Sequence, residues 1–294
     1  MMGDILNFIW ILVLIQIFVP YMKMRAMAAR RLGLIRSIEK KRQSRVITMI
    51  HRQETMSLLG IPIARYIDIE DSEQVLRAIR MTPSEMPIDL ILHTPGGLVL
   101  ASEQIASALK RHKGKVTVFV PHYAMSGGTL VSLAADEIVM DSDAVLGPVD
   151  PQLGSSQGGY YPAASILKAL EQPNPNRDDQ FLILGDISKK AMDQVYKTTR
   201  NLLIEHNSPE KADGLARMLS DGRWTHDYPI SFDEASTMGL PVNDQMPREI
   251  FTLMDLYPQA KQRRPGVEYI PAPYQPAAPA SGKGQRVFTG ARVD

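Results

Sequence analysis

The 294-residue chain contains no cysteine, which excludes disulfides, thiolate metal sites and a cysteine nucleophile. It has no excess of charge of either sign. The 33 Lys and Arg residues stand against 32 Asp and Glu, so the balance indicates no nucleic-acid partner. Its six histidines, His51, His93, His112, His122, His206 and His226, show no metal-ligand spacing such as HExxH. No metal or cofactor is therefore expected. What the chain does have is apolar mass: at 44% hydrophobic it is able to bury a sizeable core.

That mass begins at the N-terminus. Ile5 to Met22 is an apolar run broken only by Asn7, Gln16 and Pro20. As a helix it covers roughly 27 Å, enough for one bilayer crossing. Only Asp4 precedes it in charge, so the positive leader of a cleaved signal peptide is missing. Lys23, Arg25, Arg30, Arg31, Arg36, Lys40, Lys41 and Arg42 follow, opposed only by Glu39. The excess of positive charge predicts a single-pass anchor over 1–23 in the cell membrane, with everything after it cytoplasmic. Residues 24–43 read as a basic juxtamembrane helix lying near anionic headgroups. A buried helix at a subunit interface is the plainer alternative.

From 44 to 257 the pattern alternates. Strands are expected at 45–50, 66–69, 88–93, 116–120, 138–140 and 144–146, with helices between several of them. Asp71 reads as the N-cap of the helix carrying Val75, Leu76 and Ile79. This order implies an α/β domain with a largely parallel sheet. Helices are expected at 162–171 and 187–206, after a strand-like Phe181–Leu184, and Ser231 to Glu234 forms a capping box for a short helix that Gly239 closes. The 258–294 tail turns to Pro, Ala, Gly and Gln, and is expected to be disordered.

Two glycine turns carry the chemistry. One is His93-Thr-Pro-Gly-Gly97 and the other His122-Tyr-Ala-Met-Ser-Gly-Gly-Thr129, each at a strand end. A serine on a strand-to-helix turn projects its hydroxyl as a nucleophile must. A Gly-Gly turn beside it lets a second backbone amide approach, and two such amides make an oxyanion hole. Either turn alone is equally a tight βα connection. Their pairing, about 30 residues apart across one strand–helix unit, is the more specific signal.

Leu92–Gly97, Pro121–Thr129, Ala134–Met140 and Gly147–Gln152 together resemble the peptidase core of the ClpP and SppA superfamily, and most closely the membrane-associated serine dehydrogenase proteinases. The similarity runs from about Arg45 to Val242. It implies a ClpP/crotonase-like spiral of ββα units, Ser126 as nucleophile, oxyanion amides at Gly97 and Gly127, and a homo-oligomer. The expected substrate is a peptide or membrane protein, with membrane lipid as a further partner.

A serine also needs a base. A ClpP-like histidine about 25 residues after the serine is not present, since no histidine lies between His122 and His206. The resemblance to SppA-like enzymes instead implies a lysine on a later helix, placed by the landmarks that follow it at Lys190. Lys189, Lys168 and His122 remain alternatives, and a solvated helix-face lysine is the plain reading of all three lysines. Asp150 reads as a turn residue and Asp136 as a loop tie. Arg223 and Trp224 read as residues shaping a substrate or subunit contact. Peptide hydrolysis by a Ser126–Lys190 dyad leads, ahead of crotonase-like acyl-CoA chemistry and of a silent membrane scaffold.

Overall fold

In the computed structural model, residues 2–52, 66–154 and 159–257 are described. For most of the first 17 residues this covers the backbone alone. The 258–294 tail lies outside the described residues. The chain opens with α1 (Met2–Arg42), then β1 (Arg45–Ile50), α2 (Ile69–Arg80), β2 (Ile88–His93), α3 (Val99–Lys110), β3 (Val116–Val120) and β4 (Tyr123–Ala124). Next come α4 (Gly127–Ser132), β5 (Glu137–Met140), β6 (Val145–Leu146), β7 (Gln152–Gly154), β8 (Tyr160–Pro162), α5 (Ala163–Leu170) and α6 (Asp179–Leu203). It closes with α7 (Pro209–Ser220), β9 (Ile230–Ser231), α8 (Phe232–Met238), β10 (Val242–Asn243) and α9 (Arg248–Asp255).

The main sheet is parallel throughout, in the order β1-β2-β3-β5-β10. Its side chains alternate between two cores with the period of two that a pleated strand imposes. Ile47, Met49, Leu90, Leu92, Val118, Val120, Ile138 and Met140 enter the larger core, with Val75, Ile105, Leu109, Val195 and Leu219 from the helices. Val46, Ile91, Phe119 and Val139 enter the other, against Ile38 of α1 and Ile250, Leu253 and Met254 of α9. Both faces are covered, so β2 is buried at all six positions and reads as an unbroken apolar run apart from Asp89 and its terminal histidine. Arg42 and Ser44 satisfy that buried Asp89, at 2.5 and 2.6 Å.

A second, smaller layer explains the spiral. After each of the first strands the chain makes a short pairing before its helix. Ile67 bridges Gly97, Thr94 bridges Ala124, and β4 pairs β6, which pairs β9. Each turn of chain is thus a sheet strand, a short cross-pairing and, in most turns, a helix. The cross-pairings collect the strand-end turns on one edge.

Several local expectations change. The strand expected at 66–69 is one bridge at Ile67, because the Asp68 side chain caps α2 at once and Asp71 reciprocates, making Asp68 the N-cap. Phe181–Leu184 belongs to the first turns of α6, where Asp178 accepts from the Phe181 amide. The basic helix expected along the headgroups has its last turns on the sheet, through Leu34, Ile35 and Ile38. No helix among the described residues is long and apolar enough to cross a membrane.

Candidate active site

The first strand-end turn is held by close backbone contact. The Ile67 amide donates to the Gly96 carbonyl at 2.7 Å and the Leu98 amide to the Ile67 carbonyl at 2.8 Å. A side chain on Gly97 would run into the backbone N and O of Ile67. Gly96 has φ 105°, and a Cβ there would lie 2.7 Å from the Ser126 Cβ. The two turns therefore touch, and only glycines let them.

Ser126 sits on the second turn at φ 51°, ψ −115°, in the left-handed half of the map that non-glycine residues seldom adopt. The strain fits the sharp strand-to-helix turn that lifts a nucleophilic hydroxyl clear of its own backbone. A methyl group placed on Gly127 would lie 3.4 Å from the Gly97 amide nitrogen, so the two glycines adjoin. Among the described residues neither amide has a backbone acceptor. Two free N–H groups beside a serine hydroxyl suit an oxyanion.

Ser126, Gly97 and Gly127 line one cavity of about 540 Å³, whose apolar wall includes Leu98, Leu130 and Val195. Two residues without a catalytic assignment from sequence share it: Asp150 and His226. The Asp150 side chain is fully buried, and its two oxygens meet His226 Nδ1 at 2.9 Å and the Gln152 side-chain amide at 2.8 Å. The histidine is carried on the loop after α7. The Tyr228 amide donates to the Thr225 carbonyl at 2.9 Å, and Trp224 stacks on Tyr228 with ring centres 5.1 Å apart. That gives Trp224 a local role as a brace for the turn bearing His226. An ionised carboxylate only accepts, so it fixes the proton on Nδ1 and leaves Nε2 as the basic nitrogen.

The lysines lie elsewhere. Lys190 is exposed and pairs with Asp186 at 2.5 Å, Lys168 is exposed and pairs with Glu171 at 2.8 Å, and Lys189 is exposed as well. None of them lines the cavity. Helical periodicity is the reason. The inward stripe of α6 runs through Ser188, Val195, Thr199 and Leu202. Lys190 follows Ser188 by two positions, about 200° around the helix. His122 is exposed and stacks on His93, with ring centres 5.7 Å apart, away from the cavity.

His93 itself is buried, with Nδ1 unpartnered among the described residues. Burial, reinforced by the charges of Arg52, His122 and His51, pushes its imidazole down to about 4. A histidine depressed in the fold but ordinary when unfolded takes its proton first in the unfolded chain. Its stabilising share is whole above pH 6.5, the unfolded value, and is lost as pH falls towards 4. Between pH 7 and 4.5 the wild type should lose about 2–3 kcal/mol more stability than His93→Phe in urea titrations. Equal losses would remove His93 from that role.

Comparison with known proteins places this site in context. Residues 1–283 match the family model of the ClpP-like SDH-type serine proteinases. Two uncharacterized proteins of Methanocaldococcus jannaschii are similar over nearly their whole length. MJ1495 is 52% identical over 277 residues, covering 93% of each chain. MJ0137 is 54% identical over 265 residues, covering 90% of this chain and 91% of that one. Among solved structures, the 1510-N membrane-bound stomatin-specific protease aligns at TM-score 0.45 and 20% identity, covering 64% of this chain and 79% of that chain. By the extent of the family match and of both relatives, this chain belongs to the ClpP-like SDH-type serine proteinases.

Proposed function

We propose that the protein is a serine endopeptidase in which Ser126 is the nucleophile, His226 the general base, Asp150 its orienting carboxylate, and the Gly97 and Gly127 amides the oxyanion hole. The observation that carries this reading is the shared cavity: it holds Ser126 and both glycines, together with a histidine tied at 2.9 Å to a buried aspartate. Ser126 Oγ attacks the scissile carbonyl as its proton passes to His226 Nε2. The carbonyl oxygen takes the displaced electron pair and rests on the two amides. His226 then gives the proton to the departing amine, and water releases the acyl group by the same route in reverse order of roles. A Ser126–Lys190 dyad requires a buried lysine amine within reach of the serine. The exposed Lys190–Asp186 pair gives it less support.

The apolar run 5–22 and the basic residues after it support a membrane-anchored enzyme with its domain in the cytoplasm. Peptides or membrane proteins at that surface are its substrates, and the working form is a homo-oligomer. Crotonase-like chemistry does not need a serine at 126, and a silent scaffold does not need a reactive one. The test is a fluorophosphonate probe applied to carbonate-washed membranes from expressing cells. Wild type should be labelled in the membrane pellet and Ser126→Ala should not. Equal labelling of both would sink the nucleophile, and labelled protein in the wash would sink the anchor.

A further inference from the structure

The oxyanion turn has a second support that the reaction itself does not use. His51, just after β1, is buried between two partners on different elements. Its Nε2 lies 3.2 Å from Asp71 Oδ2 and its Nδ1 lies 2.9 Å from the Thr94 hydroxyl. Thr94 is wholly buried, and its hydroxyl oxygen is 3.2 Å from the Gly96 amide nitrogen. Asp71 belongs to the capping box of α2, whose other half, Asp68, directly follows Ile67. Ile67 is the residue that clamps Gly96 and Gly97 from the other side.

These contacts close into a ring: Ile67, the Asp68–Asp71 cap, His51, Thr94, Gly96, Gly97 and back to Ile67. Burial alone would raise the Asp71 carboxyl, but the hydrogen bond from His51 leads the opposing effects and leaves it below the usual range. An ionised Asp71 accepts, so the His51 Nε2 that faces it carries a hydrogen, while Nδ1 meets the Thr94 hydroxyl. The Thr94 oxygen accepts from the Gly96 N–H and also lies 3.3 Å from the Gly96 carbonyl oxygen, so one hydroxyl joins His51 to the Gly96 residue that precedes the oxyanion amide. Thr94 also ties the two turns together by backbone: the Met125 amide donates to its carbonyl at 3.0 Å, one residue before Ser126.

We infer that His51 is a positioning residue that sets the Gly97 amide in the oxyanion hole through Thr94 and Gly96. The inference rests on the serine-peptidase reading and adds to it a residue that touches neither substrate nor nucleophile. Loss of the ring leaves Ser126, His226 and the substrate cavity in place but lets the amide drift. A misplacement of about 1 Å in such a group costs up to about 100-fold in rate.

The experiment is steady-state peptide hydrolysis by the full chain, with melting curves on each variant. His51→Ala and the near-isosteric Thr94→Val should each lower kcat by about 10- to 100-fold with little change in KM. The double variant should be no slower than the worse single one, since both cut the same ring. Thr94→Ser, which keeps the hydroxyl, should hold near wild-type kcat. If His51→Ala does not fold, the Thr94→Val and Thr94→Ser pair carries the test alone. Wild-type kcat in folded Thr94→Val, or multiplied losses in the double variant, would overturn the inference. Ser126→Ala run alongside separates the two levels: if it still turns over substrate, the serine-peptidase reading fails first and takes this inference with it. If it is dead while Thr94→Val is fully active, only the positioning role falls.

Discussion

His226→Ala is expected to lower kcat for peptide hydrolysis by a factor of about 10⁴–10⁶, close to the loss from Ser126→Ala. The imidazole has two tasks on one proton, taking it from Ser126 and returning it to the leaving amine, and no other imidazole or lysine borders the cavity among its described lining residues. Combining the two changes should cost little more than either alone, because groups acting as one unit are strongly non-additive. Asp150→Asn tests orientation separately. It keeps the volume but removes the carboxylate that faces Nδ1 at 2.9 Å, so the ring's tautomer is no longer fixed and a loss of about 10⁴ in kcat is expected. Lys190→Ala removes an exposed ion pair 2.5 Å long on the far side of α6 and should leave kcat within about twofold. The opposite pattern, a dead Lys190→Ala beside an active His226→Ala, would assign the base to the lysine and leave Ser126 untouched. Steady-state hydrolysis by each purified variant, with its melting curve alongside, is the measurement, so that unfolded protein is not counted as slow enzyme.

The two candidate bases, Lys190 and His226, show where sequence reading stops. The parallel sheet, the paired glycine turns and the Ser231 and Gly239 caps were legible because each is local: a period of two, a turn chemistry, a capping pattern. The cavity joins Ser126 to Asp150 and His226, residues 24 and 100 positions further on, across a fold whose loops set no fixed interval. Asp150 lies in a Pro-Val-Asp-Pro run, where a turn role is the ordinary expectation, and His226 in a loop without periodicity. Lys190 was placed by landmarks further along the chain. The angular phase of α6 decides its direction instead, and that phase shows only once Ser188, Val195 and Thr199 are seen to face inwards. The ring through His51 was hidden for the same reason, since it is assembled from the ends of β1 and β2 and the N-terminus of α2.

Gly97→Ala is expected to lower kcat by at least about 10²-fold, and to damage the fold as well as the rate. From sequence alone a side chain at 97 threatens only the open amide, so that even valine should spare the fold. The structure adds a backbone collision, because the new Cβ meets both the N and the O of Ile67, atoms that no rotamer change moves aside. Either Ile67 withdraws, breaking its bonds of 2.7 and 2.8 Å to Gly96 and Leu98, or the turn swings and carries the Gly97 amide out of the hole. The second outcome alone costs about 10²–10³ in kcat, the value of one oxyanion donor. The first exposes or orphans buried backbone groups at about 1–3 kcal/mol each. Gly96→Ala should behave similarly, since its Cβ would lie 2.7 Å from that of Ser126 and 2.9 Å from the Met125 carbonyl oxygen at a φ of 105°. Gly214→Ala is the matched control: it lies within α7 with nothing within 4 Å of the new methyl, and should be neutral or stabilise by about 0.5–1 kcal/mol. Melting temperature and kcat measured together on the three variants decide the matter. A Gly97→Ala protein that melts and turns over like wild type would mean that the Gly97 amide is not part of the hole and that the Ile67 clamp is not needed to hold it.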